Sequence, residues 1–373
     1  MKKELYLWEY RQATWLELFF DLIFAVSLGQ ITHLLSHTHN HHLESASFIK
    51  FLVLFIPYWW IWLSHTIFSN RYDRDEKGHR FLTLVLMFLL MLMSGVLDLK
   101  VERGYRLFIS IYGATRFLIT YLFFAEGRKN NDKAASQIAE YFFLGALIST
   151  SALLFPFKYA VFIFFLGIAI EMILPLFYSK KNNLKPADRD HLVERIGLLA
   201  IILLGESVIS LSASLREVVW NTQTLSAAII GFVMICMIWW IYFDSFTLLI
   251  ESKRDKNGVV IAFSQFFTYV SFALIANTIR HAIFNDLNIN EFKMMAFLGM
   301  AFLYIGKQTA YFINVPEYRY HNIRNTIIVF VIMISSMFLK QADHILYGMA
   351  LSFAVYIAVN YQSQIKIYGK SVF

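Results

Sequence analysis

Two carboxylates stand four residues apart at the start of an apolar run, in Thr14-Trp-Leu-Glu-Leu-Phe-Phe-Asp-Leu22. On a helix Glu17 and Asp21 fall on one face, a turn from each other. In a poorly hydrated place two such acids do not both ionise freely. The pair is therefore expected to hold a proton, share a cation or meet a basic partner. A later apolar run carries His191-Leu-Val-Glu-Arg-Ile-Gly197 and then Leu203-Leu-Gly-Glu-Ser207. Glu194 and Arg195 stand at its entrance, and Glu206 lies on the same face as Arg195, about 16 Å deeper at helical rise. Gly205 beside it is expected to admit a close neighbouring helix.

Arg116, Glu171, Asp244 and Lys307 interrupt four further apolar runs. An ionisable group inside a membrane span costs about 2.5–3.5 kcal/mol on insertion scales, so each needs a reason. Asp21, Arg116, Glu171 and Asp244 fall at similar depths and are expected to converge on one polar cluster between the two halves of the chain. The candidate substrate- or ion-binding residues are Glu17, Asp21, Arg116, Glu171, Glu194, Arg195, Glu206 and Asp244. The competing reading is that buried charge pairs only pin helices together.

His37, His39, His41 and His42, with His33, crowd one short connector. Imidazoles suit zinc, copper or nickel, but no cysteine accompanies them and alternate spacing in a flexible loop builds no fixed cage. A solvated loop is expected, with these four as weak metal candidates. Cys236, alone in an apolar run, is expected to be a small buried side chain. The chain has no nucleophile elbow, no zinc-protease motif, no phosphate-cradling loop and no dinucleotide fingerprint. Neither a cofactor nor catalysis is expected.

The elements that must position these residues follow from composition. The chain has 373 residues, 58% hydrophobic and only 16% charged, with a mean hydropathy of +0.54. A soluble domain carries about a quarter charged residues, so this is an integral membrane protein. The net charge of +7 is scattered over separate loops, not gathered in one patch, which argues against nucleic-acid binding. With about 20 apolar residues per crossing, the predicted spans are 14–35, 48–69, 81–98, 105–125, 136–154, 157–178, 191–213, 224–250, 259–281, 293–314, 325–340 and 343–362. The first is expected to be a retained helix, not a cleaved signal. Most Lys and Arg fall in alternate loops, which places both termini in the cytoplasm by the positive-inside rule.

Tyr58-Trp-Trp-Ile-Trp-Leu-Ser-His65 returns as Ile238-Trp-Trp-Ile-Tyr-Phe-Asp-Ser245, and Arg74, Asp75 and Gly78 match Arg254, Asp255 and Gly258. The fold expected is all-α, about 12 transmembrane helices as two parallel six-helix repeats. The first repeat is 1–178, a cytoplasmic linker is 179–190 and the second repeat is 191–373. The paired Trp residues are expected to be packing or interface anchors.

Arg11 with Trp15-Leu-Glu-Leu-Phe-Phe-Asp-Leu22, together with His191–Leu198 and Leu204-Gly-Glu-Ser207, resembles the low temperature requirement protein A family of bacterial membrane proteins. The resemblance covers essentially the whole chain. It implies that Glu17, Asp21, Glu194, Arg195, Gly205 and Glu206 are hallmark positions of a polytopic inner-membrane protein linked by name to growth in the cold. The function expected is secondary transport of a small solute or ion, proton- or cation-coupled, among membrane lipids. An ion channel and an intramembrane lipid-acting enzyme or scaffold are the alternatives.

Overall fold

A computed structural model describes residues 12–44, 46–72, 76–97, 101–179, 188–244, 246–252, 254–255 and 258–368. Within them the apolar runs are helical, because a helix pairs its interior N–H and C=O groups inside its own segment, as lipid demands. The helices are α1 (Trp15–Thr32), α2 (Ser47–Tyr72), α3 (Lys77–Gly95), α4 (Val101–Lys129), α5 (Lys133–Ser151), α6 (Phe157–Ser179) and α7 (Arg189–Glu217). They continue with α8 (Thr222–Phe243), the short α9 (Phe246–Glu251), α10 (Val259–Phe284), α11 (Ile289–Asn314), α12 (Arg319–Ser336) and α13 (Ala342–Tyr368). The twelve long helices correspond one for one with the predicted spans. Ten spans among the described residues, α8 and α9 counted as one, are long and apolar enough to cross a membrane. The exceptions are α11, which carries Glu291, Lys293 and Lys307, and α12, which carries Arg319 and Arg324.

Side-chain caps begin several helices. Asp132 accepts from the amides of Ala134 and Ala135 at α5, Asn221 from Thr224 at α8, and Asn288 from Asn290 at α11. Phe88, Phe143, Phe162, Ile209 and Phe232 are exposed on outer helix faces, an apolar surface that suits lipid and not water. Cys236 is exposed too, contrary to the buried position expected of it. Where the outside is as apolar as the inside, a small apolar side chain carries no signal of burial.

The chain divides into two compact units, one of Met1–Ile31 with Val53–Leu192 and the other of Thr32–Leu52 with Val193–Phe373. The basic residues Lys2, Lys3, Arg11, Lys180, Lys181, Lys185, Lys253, Lys256 and Lys370, the repeat matches Arg74, Asp75 and Ser245, and most of the linker 179–190 lie outside the described residues.

In the first unit α4, α5 and α6 pack through small residues. A Cβ on Gly145 would lie 2.7 Å from the Gly167 carbonyl oxygen, and one on Gly167 would lie 2.5 Å from the Gly145 carbonyl oxygen. Only glycine at both positions allows that backbone approach. In the second unit α10 and α11 approach as closely, where a Cβ on Gly306 would lie 2.7 Å from the Thr268 amide nitrogen.

The histidine-rich connector is an ordered hairpin, not a flexible loop. Strands β1 (Thr38–His39) and β2 (His42–Leu43) pair antiparallel. The residues between them, Asn40 and His41, both have positive φ, 51° and 63°, as a two-residue type I′ turn requires.

Candidate functional site: buried charge centres

The segment Tyr58–His65 of α2 is the hub of the first unit. Three of its side chains reach three buried charges. The Trp60 indole donates to Glu171 Oε2 at 2.7 Å, the Trp62 indole donates to Asp21 Oδ1 at 2.7 Å, and Ser64 Oγ accepts from Arg116 Nη1 at 2.6 Å. Arg116 Nη2 also lies 2.6 Å from Glu171 Oε2, with both side chains fully buried. The guanidinium sits 4.8 Å from the Phe142 ring centroid and 5.5 Å from that of Trp60. Glu171 fits because α5 has no side chain at Gly145, where a Cβ would lie 2.1 Å from Glu171 Cγ. Trp60 is thus more than the packing anchor expected of it. The homologous-looking pair Trp239 and Trp240 is instead 41% and 48% exposed.

Glu17 and Asp21 are both buried on α1, but their surroundings differ. Glu17 Oε2 accepts from the Thr14 amide at 2.9 Å, and Thr14 Oγ1 accepts from the Glu17 amide at 3.3 Å. This is a capping box, with its signature in the sequence as Thr14-x-x-Glu17. His191 Nε2 lies 3.3 Å from Glu17 Oε2, and His191 Nδ1 accepts from the Asn70 amide at 3.0 Å. Asn70 also donates to the Asp188 carbonyl at 2.8 Å. The starts of α1 and α7 and the end of α2 therefore meet at one buried acid–imidazole–amide array.

The second unit holds a different centre. Asp244 Oδ2 accepts from Asn360 Nδ2 at 2.5 Å and from Gln364 Nε2, side chains one turn apart on α13. Tyr318 donates to Asn360 Oδ1. Lys307 is buried within electrostatic range of Asp244. Its Nζ is 3.4 Å from Tyr356 Oη and 4.2 Å from the Tyr311 ring centroid. Asn360 and Gln364, which hold the acid, were not singled out from sequence. Their i, i+4 spacing on a span was the available signal.

The remaining candidates lie on α7. Arg195 is fully buried and Glu194 half-buried. Glu206 is partly exposed and has no hydrogen bond or ion pair among the described residues. Gly205 is exposed, and among the described residues nothing lies within 4 Å of a Cβ placed on it. The close approach expected there is found instead at Gly145, Gly167 and Gly306.

The hairpin is docked within the second unit. The Glu291 carboxylate faces His42 Nδ1 at 2.8 Å and accepts from the Leu43 amide at 2.8 Å, and the Asn288 amide donates to the His41 carbonyl at 2.6 Å. His281 Nδ1 is 2.6 Å from Asp286 Oδ1 and His281 Nε2 is 2.8 Å from the Leu35 carbonyl oxygen. Burial pushes the Asp286 carboxyl up, but the His281 and Arg280 donors outweigh it and hold it below the usual carboxylate range. His37 Nε2 lies 3.0 Å from His33 Nδ1. His39 pairs across the hairpin with His42. Among the described residues no three His, Cys, Asp or Glu side chains form a metal-holding group.

Ten apolar spans, lipid-suited outer faces and a fully buried ion pair define a polytopic helical membrane protein. Residues 12–361 match the family model described as bacterial low temperature requirement A protein (LtrA), and the chain belongs to that family. It is a multi-pass protein of the bacterial inner membrane. An uncharacterized protein of Rhizobium meliloti (strain 1021) is 24% identical over 290 residues, which cover 74% of this chain and 70% of that protein.

Proposed function

We propose that the protein is a proton- or cation-coupled secondary transporter for a small solute. The observation that carries this reading is the burial of Glu17 and Asp21 one turn apart, with the His191 imidazole 3.3 Å from Glu17. Two acids and a titratable base taken out of water at the end of a membrane helix can take up and release a proton or a small cation. An inert helix pin needs only one self-neutralising pair of opposite charges. Arg195, Glu206 and Asp244 are proposed to contact solute or gate its path.

The same reading takes the chain as two parallel repeats, 1–178 and 191–373, joined by 179–190 with both termini cytoplasmic. Its support is that Tyr58–Leu63 and Ile238–Phe243 fall on the second long helix of their halves. Two buried cations, Arg116 on α4 and Lys307 on α11, both fall on the fourth.

The test is reconstitution into vesicles enclosing a pH-sensitive dye, with a Na⁺ or K⁺ gradient imposed. The wild type is expected to change the internal pH, and Glu17→Gln and Asp21→Asn are each expected to abolish that change. Unchanged rates in both variants and in Glu206→Gln would refute the reading. Stepwise single-channel currents would make the protein a channel.

A further inference from the structure

Around the Arg116–Glu171 pair three polar atoms are buried without a protein partner among the described residues. They are Glu171 Oε1, Arg116 Nε and Tyr112 Oη. Tyr112 stands one turn from Arg116 on α4, is fully buried, and lies within electrostatic range of both charges. The other oxygen of Glu171 is used by Trp60 and Arg116, and the Nη1 of Arg116 by Ser64. What is left over is two donors and one acceptor around one buried ion pair. Burying each without a partner costs free energy, and interiors rarely keep several together.

The chemistry of the guest follows from this set. Arg116 and Glu171 cancel in charge, so the site attracts neither an anion nor a cation. A partner must accept from Tyr112 and Arg116 while donating to Glu171, so it carries a donor and an acceptor on the same or adjacent atoms. It must also be small. The surrounding helices approach so closely that a Cβ on Gly113 would lie 2.7 Å from Thr150 Oγ1, with the Gly145 and Gly167 contacts just as tight.

We infer that the first unit binds a small uncharged hydrogen-bonding molecule, a hydroxyl or amide solute or a water, between Tyr112, Arg116 and Glu171. As the solute of the transporter proposed above, it rests on that reading for its role, not for its existence.

Tyr112→Phe tests the inference. The Tyr112 hydroxyl has no protein partner, so with nothing bound there its removal leaves stability unchanged or improved. With a guest, the purified variant in detergent is expected to melt about 3 °C below wild type. A melting temperature equal to or above wild type would overturn the inference. Acetamide, which carries both a donor and an acceptor, then separates the sources. A wild-type melting temperature that rises with acetamide while that of Tyr112→Phe does not assigns a solute. The Tyr112→Phe loss without any acetamide response assigns a bound water. Failure of the transport reading is distinct: no ion-driven pH change in wild type, with the Tyr112→Phe loss intact.

Discussion

Arg116 and Glu171 lie 55 positions apart in the chain but 2.6 Å apart in space. A buried pair of this kind contributes little net stability, because both ions lose their hydration, yet breaking it strands a charge. Glu171→Gln is expected to destabilise the protein by about 3–5 kcal/mol, measured by denaturant or thermal unfolding. The double replacement Arg116→Met with Glu171→Leu is expected to lie much closer to wild type, because no charge is then stranded. At this scale the sequence showed which residues were costly to bury but not their partners. Glu17 illustrates the point. Its capping role is local and readable three residues upstream in Thr14, whereas the His191 contact joins segments far apart in the chain.

Between helices, glycine sets how near a charge can come. Gly145 makes room for Glu171, and Gly167 lets α6 close on α5. Gly145→Ala forces a methyl against Glu171 Cγ and the backbone of α6, and is expected to cost about 1–3 kcal/mol. Gly205→Ala is the contrasting case. It meets nothing within 4 Å and replaces a poor helix former with the best one, so a gain of up to about 1 kcal/mol is expected. Thermal melts of the two variants side by side check both signs. Gly205 and Gly145 each follow a leucine within an apolar span. Which of them faces another backbone is decided by helix rotation, and lipid-facing and core-facing positions here share the same apolar composition.

For the molecule as a whole, the chain order of spans was readable from local hydropathy. The hairpin and the start of α2 belong to the unit built mainly by the second half of the chain, held there by Glu291, Asn288 and the His281–Asp286 pair. Asp286 is faced by Arg280, His281 and Thr38. Because its folded-state pKa is depressed, its contribution is fully present above the unfolded value, near 3.9, and is lost as pH falls through the folded one. A spin label at Asn40→Cys, in a Cys236→Ser background, is expected to stay immobile at neutral pH and become mobile only below about pH 4. Asp286→Asn is expected to loosen it already at neutral pH. A label that stays immobile in Asp286→Asn at neutral pH would show that the hairpin does not depend on this carboxylate.

By itself the sequence determined the membrane class, the positions of the twelve long helices and the list of charges that needed explaining. These follow from local hydropathy and from the cost of burying an ion in lipid, which are properties of single segments. Tertiary structure alone decided that Trp60, Trp62 and Ser64 are the hands that hold Glu171, Asp21 and Arg116, and that amides on α13 hold Asp244. The reason is physical. In a chain apolar inside and out, the hydrophobic pattern does not say which way a helix faces, so pairing rests on helix rotation and close approach, which only the packed bundle fixes.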